Sequence, residues 1–143
     1  MANKKIIGAT AKSFDGIQFK SQLEVTIYKT LLQAGFKPEY ETQKFILWKG
    51  IKPTRLFYNR DNKNKMLKLD MGKLRDITYT PDFTFTYKKH FIIIEAKGFE
   101  NDTFPIKKKL FRGLLETFKF PTLYFEIYTK KQLMQAIDII KSL

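Results

Sequence analysis

The sequence predicts a single α/β domain in which a central mixed sheet is flanked by helices. Three observations carry that prediction. The patterns run helix, several strands, helix, strand, helix, the order expected when strands and helices share one core. The chain has 143 residues, enough for one ordinary domain that buries its core without staples. Hydrophobic residues make up 43% and aromatics 15%, which argues against disorder.

The elements follow in order. Residues 1–12 are polar, basic and small, and are expected to be loose; the chain is read as one domain over 1–143. Lys4 and Lys5 precede no long apolar stretch, so no signal peptide is expected and the expected location is cytoplasmic. No apolar run approaches a membrane span. Over 18–34, Phe19, Leu23, Ile27, Leu31 and Leu32 recur at helical spacing. Gly35 ends that helix and Pro38 blocks its continuation. Residues 39–48 read as a strand. Within 49–76, the strand-like segments 55–58 and 66–69 flank a polar, turn-rich link, which predicts a hairpin. Residues 74–80 form another strand, ended by Pro81.

Residues 82–87 alternate apolar and polar, and 91–97 are strongly apolar and closed by Gly98. With Lys88, Lys89 and His90 as the link, the two make an antiparallel hairpin. A polar loop follows at 99–103. Residues 105–118 read as a helix with Ile106, Leu110, Leu114 and Phe118 on one face. Pro121 opens a last strand over 122–128, and Thr129 is the expected N-cap of a final helix, 130–143.

Charge narrows the function. There are 27 Lys+Arg against 14 Asp+Glu, a formal charge of +13. Such an excess on a small domain is the footprint of a polyanion partner. DNA or RNA is the first candidate and an acidic membrane surface the second. The absence of cysteine excludes disulfides, thiolate zinc sites and cysteine nucleophiles. With one histidine, a metal site must be built from oxygen, and carboxylates suit Mg²⁺ or Mn²⁺.

Three acidic or basic positions stand out by context. Asp82 follows Pro81 at a strand start. Glu95 follows Ile92, Ile93 and Ile94 near the end of the next strand, and Lys97 is two residues on. Period-two alternation puts Glu95 and Lys97 on one face. The hairpin brings Asp82 to the same edge. Charges interrupting an apolar strand cost free energy unless compensated, and a cation would compensate Asp82 and Glu95. The backbone carbonyl of Ala96 is a further oxygen donor. The plainer alternatives are a salt-bridged strand end for Glu95 and Lys97 and a strand cap for Asp82. Asp61, Asn62 and Lys63 repeat the acid-x-lysine spacing in a polar turn and read as a solvated loop.

Thr80-Pro81-Asp82-Phe83 together with Ile94-Glu95-Ala96-Lys97-Gly98 resembles the PD-(D/E)xK, or restriction-endonuclease-like, nuclease superfamily. Phe19-Lys20-Ser21-Gln22-Leu23-Glu24 looks like the helix segment of the phage endonuclease I (Holliday junction resolvase) group and of related small phage nucleases. The resemblance spans roughly residues 16–128. It implies a restriction-endonuclease-like fold with 49–76 as an inserted hairpin. It further implies Glu24, Asp82 and Glu95 as metal ligands and Lys97 as the catalytic lysine. The segment 103–111 looks like the basic helix after the active strand.

The resulting expectation is a Mg²⁺- or Mn²⁺-dependent DNA endonuclease of phage or prophage type, acting on branched DNA as a homodimer. Two cuts need two sites. Lys20, Ser21, Lys107, Lys109 and Arg112 are the expected nucleic-acid contacts. The alternatives are a transposase-like or restriction-like nuclease acting on duplex DNA, and a noncatalytic nucleic-acid-binding module that keeps the fold. His90 reads as an exposed turn histidine. Tyr79 and Trp48 read as core residues before base-stacking ones. Asp70 and Asp76 read as loop or strand-edge charges.

Overall fold

A computed structural model describes residues 12–98 and 103–143. The expected loose terminus, 1–12, therefore lies outside the described residues except for Lys12, as does the loop 99–103 except for Thr103. The architecture is mixed α/β. A four-stranded sheet runs in the order β10-β9-β8-β3, with β3 at Glu39–Tyr40, β8 at Phe83–Tyr87, β9 at His90–Ala96 and β10 at Thr122–Ile127. β8 is antiparallel to β9 and to β3, and β10 is parallel to β9. A parallel neighbour needs a crossover. Here it is a helix, α2, at Phe104–Leu115.

β9 explains why both sheet faces are covered. Ile92 and Ile94 join the core formed with α1 (Gln22–Gln33) and α3 (Lys130–Lys141). Ile93 points to the other side, into a smaller core with Tyr79, Phe104 and Phe111. A strand buried on both faces reads as a continuous apolar run, and that is the run seen in the sequence. Glu95 and Lys97 follow the parity of Ile93, so they open on the α2 side.

α1 begins later than its periodicity predicts. Ser21 is the N-cap, and its Oγ accepts the Glu24 N–H at 3.1 Å. Ile17–Gln18 (β2) instead pairs with Ser13–Phe14 (β1) in a small hairpin. Phe19 is buried ahead of the helix, so it kept the apolar pattern without being helical. At the other end Gly35, at φ +92°, gives the left-handed turn. The Phe36 N–H reaches Leu31 O and the Gly35 N–H reaches Leu32 O, a Schellman stop.

The expected strand 39–48 is two strands. Glu41 sits at φ +54° and breaks it. β3 stays in the main sheet, and β4 (Phe45–Trp48) pairs with β7 (Ile77–Tyr79). Between them, β5 (Tyr58–Arg60) and β6 (Leu67–Leu69) form their own hairpin, two to three residues later than the first predicted segment. Lys88 and Lys89, both at positive φ, turn β8 into β9, and His90 pairs with Tyr87 inside the ladder rather than standing in the turn.

α2 rotates the predicted apolar face. Phe104 and Phe111 are its buried residues; of the predicted face Leu114 packs against the same core, while Ile106 and Leu110 are exposed. The aromatic rings displaced the aliphatic stripe because they fill the pocket under β9 and Tyr79. α3 carries the expected Thr129 cap, closed as a capping box with Gln132. No helix among the described residues is long and apolar enough to cross a membrane.

Candidate active site

The β8–β9 register pairs Phe83 with Ile94. Carried one residue further, it sets Asp82 opposite Glu95. Both acids are buried, as is Lys97. They share a cavity of about 390 Å³ with Lys20, Glu41, Tyr79, Phe104 and Lys107. Three residues predicted from sequence thus meet at one notch, supplied by the start of β8 and the end of β9.

Each charge has a definite partner. Asp82 Oδ2 accepts the Ala96 N–H at 2.7 Å, which brings the Ala96 backbone into the site. Glu95 Oε1 accepts the Tyr79 hydroxyl at 2.5 Å. Glu95 Oε2 lies 3.3 Å from Lys97 Nζ. The same ammonium stands 3.5 Å from the centroid of the Phe104 ring, a cation–π contact. Lys97 is therefore held between a carboxylate and a ring face.

The two acids are not equally compensated. Burial pushes Asp82 up to about 8, with the charges of Glu95 and then Glu24 adding to it, while the Ala96 N–H pulls the other way. Burial also raises Glu95, but the Tyr79 hydroxyl and Lys97 oppose that shift. Of these two acids Asp82 is thus the one without an ion-pair partner among the described residues, and removing that penalty requires a proton or a cation.

The chain matches, over residues 4–127, the model of a family described as protein of unknown function (DUF1064). It belongs to that family. Neither the curated proteins nor the solved structures give a match. The stretch matched to DUF1064 contains Glu24, Asp82, Glu95 and Lys97 and stops before α3.

The remaining predicted residues of this DUF1064 chain divide. Glu24 is buried in the first turn of α1, where its Oε1 accepts the Lys20 N–H at 2.9 Å and the Tyr40 hydroxyl at 2.7 Å. Its charge is felt at Asp82, yet it does not line the notch. Among the described residues, no three acids or imidazoles are grouped closely enough to hold a metal. Ser21 is occupied as the helix cap. Lys20 lines the notch and pairs with Glu41 at 2.7 Å; that bond raises its pKa, with burial working against it. Lys107 also lines the notch, whereas Lys109 and Arg112 border a separate groove with Pro105 and Glu116.

Two acids still fit a hard cation. A carboxylate has about four acceptor positions, and Asp82 and Glu95 use few of theirs on the protein. Mg²⁺ commonly takes one or two carboxylates and completes its shell with water and substrate phosphate.

Sequence reasoning missed several neighbours. Tyr79 belongs to the core as expected, but its hydroxyl also supports Glu95 and meets Tyr124 at 2.9 Å. Burial raises both phenols well above the ordinary range, so both stay protonated donors. Glu126 lies beside Glu95 in the β9–β10 register and pairs with Lys108 at 3.0 Å. Its signal was present, an acid at alternate spacing in a strand. Glu41 had none, because its place depends on a backbone reversal. Trp48, expected in the core, is exposed.

Proposed function

We propose that this protein is a divalent-metal-dependent DNA endonuclease. The observation that carries the reading is the convergence of Asp82, Glu95 and Lys97 in one notch of a domain of charge +13. Asp82 and Glu95 would hold Mg²⁺ or Mn²⁺, with the Ala96 carbonyl and the charge of Glu24 in support. When bound, the ion supplies Lewis-acid stabilisation of the charge that develops on the scissile phosphate.

The chain's own groups do the rest. Lys97 is buried, held by Glu95 and Phe104 and lines the notch, so its ammonium would meet a water or phosphate oxygen there with little reorganisation. Lys20 and Lys107 stand on the notch wall and neutralise flanking phosphates. Water adds to phosphorus and gives up one proton to solvent, the bond to one bridging oxygen breaks, and the departing oxygen takes a proton from solvent. The resemblance to junction resolvases favours branched DNA and a homodimer, since one notch cuts one strand.

The test is cleavage of a labelled four-way junction and of the matching linear duplex, with Mg²⁺ and with chelator. The expected result is Mg²⁺-dependent cutting that Glu95→Ala abolishes while DNA binding persists. Cutting by purified Glu95→Ala at the parental rate overturns the assignment. Preference for the linear duplex overturns only the branched-DNA part.

A further inference from the structure

The segment 49–76 is an arm that the notch does not use. Its hairpin is two-faced. Tyr58 pairs with Leu69 and Arg60 with Leu67 on one face, while Asn59 pairs with Lys68 on the other. Every residue of β5 and β6 is exposed, and of their large hydrophobic side chains Leu67 is the most open, at 74%. A lone two-stranded hairpin is marginal in water, and an exposed apolar patch rimmed by polar groups marks an interaction site.

The charge says what covers it. Residues 49–76 hold nine Lys or Arg against three Asp. The acids are spent on the arm's own turns and stem. Asp61 Oδ1 accepts the Lys63 N–H, Asp70 Oδ1 the Gly72 N–H and Asp76 Oδ1 the Gly50 N–H, at 2.8, 3.1 and 2.8 Å. Arg55, Arg60, Lys63, Lys65 and Lys68 have no ion-pair partner among the described residues and face solvent. Two such arms repel each other. Their strands are three residues long and carry Lys or Arg, features that discourage edge pairing with another chain. A polyanion has the opposite fit. A two-stranded ribbon enters the major groove, and tyrosine and apolar side chains offer base contacts that lysines lack.

We propose that the 49–76 arm is a second nucleic-acid-binding element, with its basic side chains on phosphates and the Tyr58, Leu67 and Leu69 face against bases. It rests on the nuclease reading for the polymer being DNA, but not for binding itself. The arm is also tied to the notch. Its stem runs into β7, and Thr78, Tyr79 and Thr80 at the end of that strand line the cavity.

The test is fluorescence anisotropy with labelled duplex and four-way junction DNA in chelator, where no cleavage intervenes. It compares the parent, Arg60→Glu/Lys63→Glu/Lys68→Glu, and Tyr58→Ser/Leu67→Ser. All five positions are exposed, and circular dichroism checks the fold. The milder Arg60→Gln/Lys68→Gln serves if the triple variant misfolds. Charge reversal is expected to weaken binding about tenfold or more and to flatten the salt dependence by about three units of slope. The apolar variant is expected to weaken binding about fivefold with the slope unchanged. Affinities within about twofold of the parent for both variants overturn the proposal, as does a parental dimer, seen by ultracentrifugation, that Tyr58→Ser/Leu67→Ser splits without loss of DNA affinity. Arm-dependent binding with no cleavage under any metal keeps this inference and sinks the nuclease. Glu95-dependent cleavage with arm-independent binding does the reverse. A parent that binds no DNA removes both.

Discussion

The Tyr79 hydroxyl donates to Glu95 Oε1 at 2.5 Å, from a strand that is not part of the main sheet. That bond holds down the pKa of Glu95 against burial. Tyr79→Phe keeps the ring packed on Phe111, 4.8 Å away by centroids, and deletes only the donor. With the donor gone, the pKa of Glu95 rises, and the acid limb of the cleavage-rate profile moves to higher pH. The rate at neutral pH falls by about tenfold, consistent with a hydrogen bond to a charged group worth about 1.5–3 kcal/mol. A pH–rate profile that superimposes on the parent's shows that Glu95 is not the group titrating.

Asp82 gives a stability prediction. Its folded pKa of about 8 stands above the ordinary 3.8, so the folded state binds this proton more tightly than the unfolded one. The resulting contribution is fully present below about pH 4 and is lost as pH rises through about 8. Asp82→Asn removes the dependence while its amide oxygen still accepts the Ala96 N–H. The variant is expected to be more stable than the parent by about 1–3 kcal/mol at pH 8 in chelator. The gap closes towards pH 4 and shrinks on adding Mg²⁺, which stabilises only the parent. Urea melts at the two pH values, with and without metal, measure it. Equal melts at pH 8 mean that Asp82 is not a strained acid.

The legible parts of this molecule are those governed by local chemistry. Thr129, Gly35 and Pro81 announce their cap, stop and strand boundary because each acts through its own backbone. The Asp82–Glu95–Lys97 notch was legible because a short link between two adjacent strands sets the start of one beside the end of the other. The failures are tertiary. Phe19 satisfied a helical period by packing with Tyr28 and Tyr40 from outside the helix. Phe104 and Phe111 took the places foreseen for Ile106 and Leu110 on α2 because Tyr79 and Ile93 offer them a surface, while Leu114 packs there as foreseen. Glu24 stands one step back from the notch, where the Lys20 N–H and Tyr40 hydroxyl hold its carboxylate while its charge acts on Asp82.

Lys97 is tested through its partners. Lys97→Met preserves most of the contact with Phe104 but leaves Glu95 without its cation. Breaking one side of a buried pair costs about 3–5 kcal/mol. The side chains here retain 10% exposure each, so about 2–3 kcal/mol is expected. If the proposed nuclease and its metal site hold, cleavage is lost, and added Mg²⁺ recovers part of the stability because Glu95 then has another cation. Thermal melts with a magnesium series check this. A variant as stable as the parent in chelator places the Glu95–Lys97 pair in bulk-like solvent and removes the preorganised amine from the mechanism.

Gly50 tests the stem that joins the arm to the notch. A Cβ built there would collide with the Leu74 carbonyl oxygen and stand 2.7 Å from the Arg75 carbonyl carbon. Both are backbone atoms, so the two sides of the stem must part. Gly50→Ala therefore breaks the Gly50 N–H bond to Asp76 and shifts β7, which ends at Tyr79. Gly72→Ala is the control, because its nearest contact is the Asp70 side chain at 3.3 Å, which can turn aside. Gly50→Ala is expected to destabilise by about 1–3 kcal/mol, as overpacking typically does. It should also weaken both DNA affinity and cleavage. Gly72→Ala stays within about 0.5 kcal/mol of the parent, as surface changes do. Denaturant melts and anisotropy on the same two variants decide. If both variants behave alike, the stem does not transmit the arm's position to Tyr79.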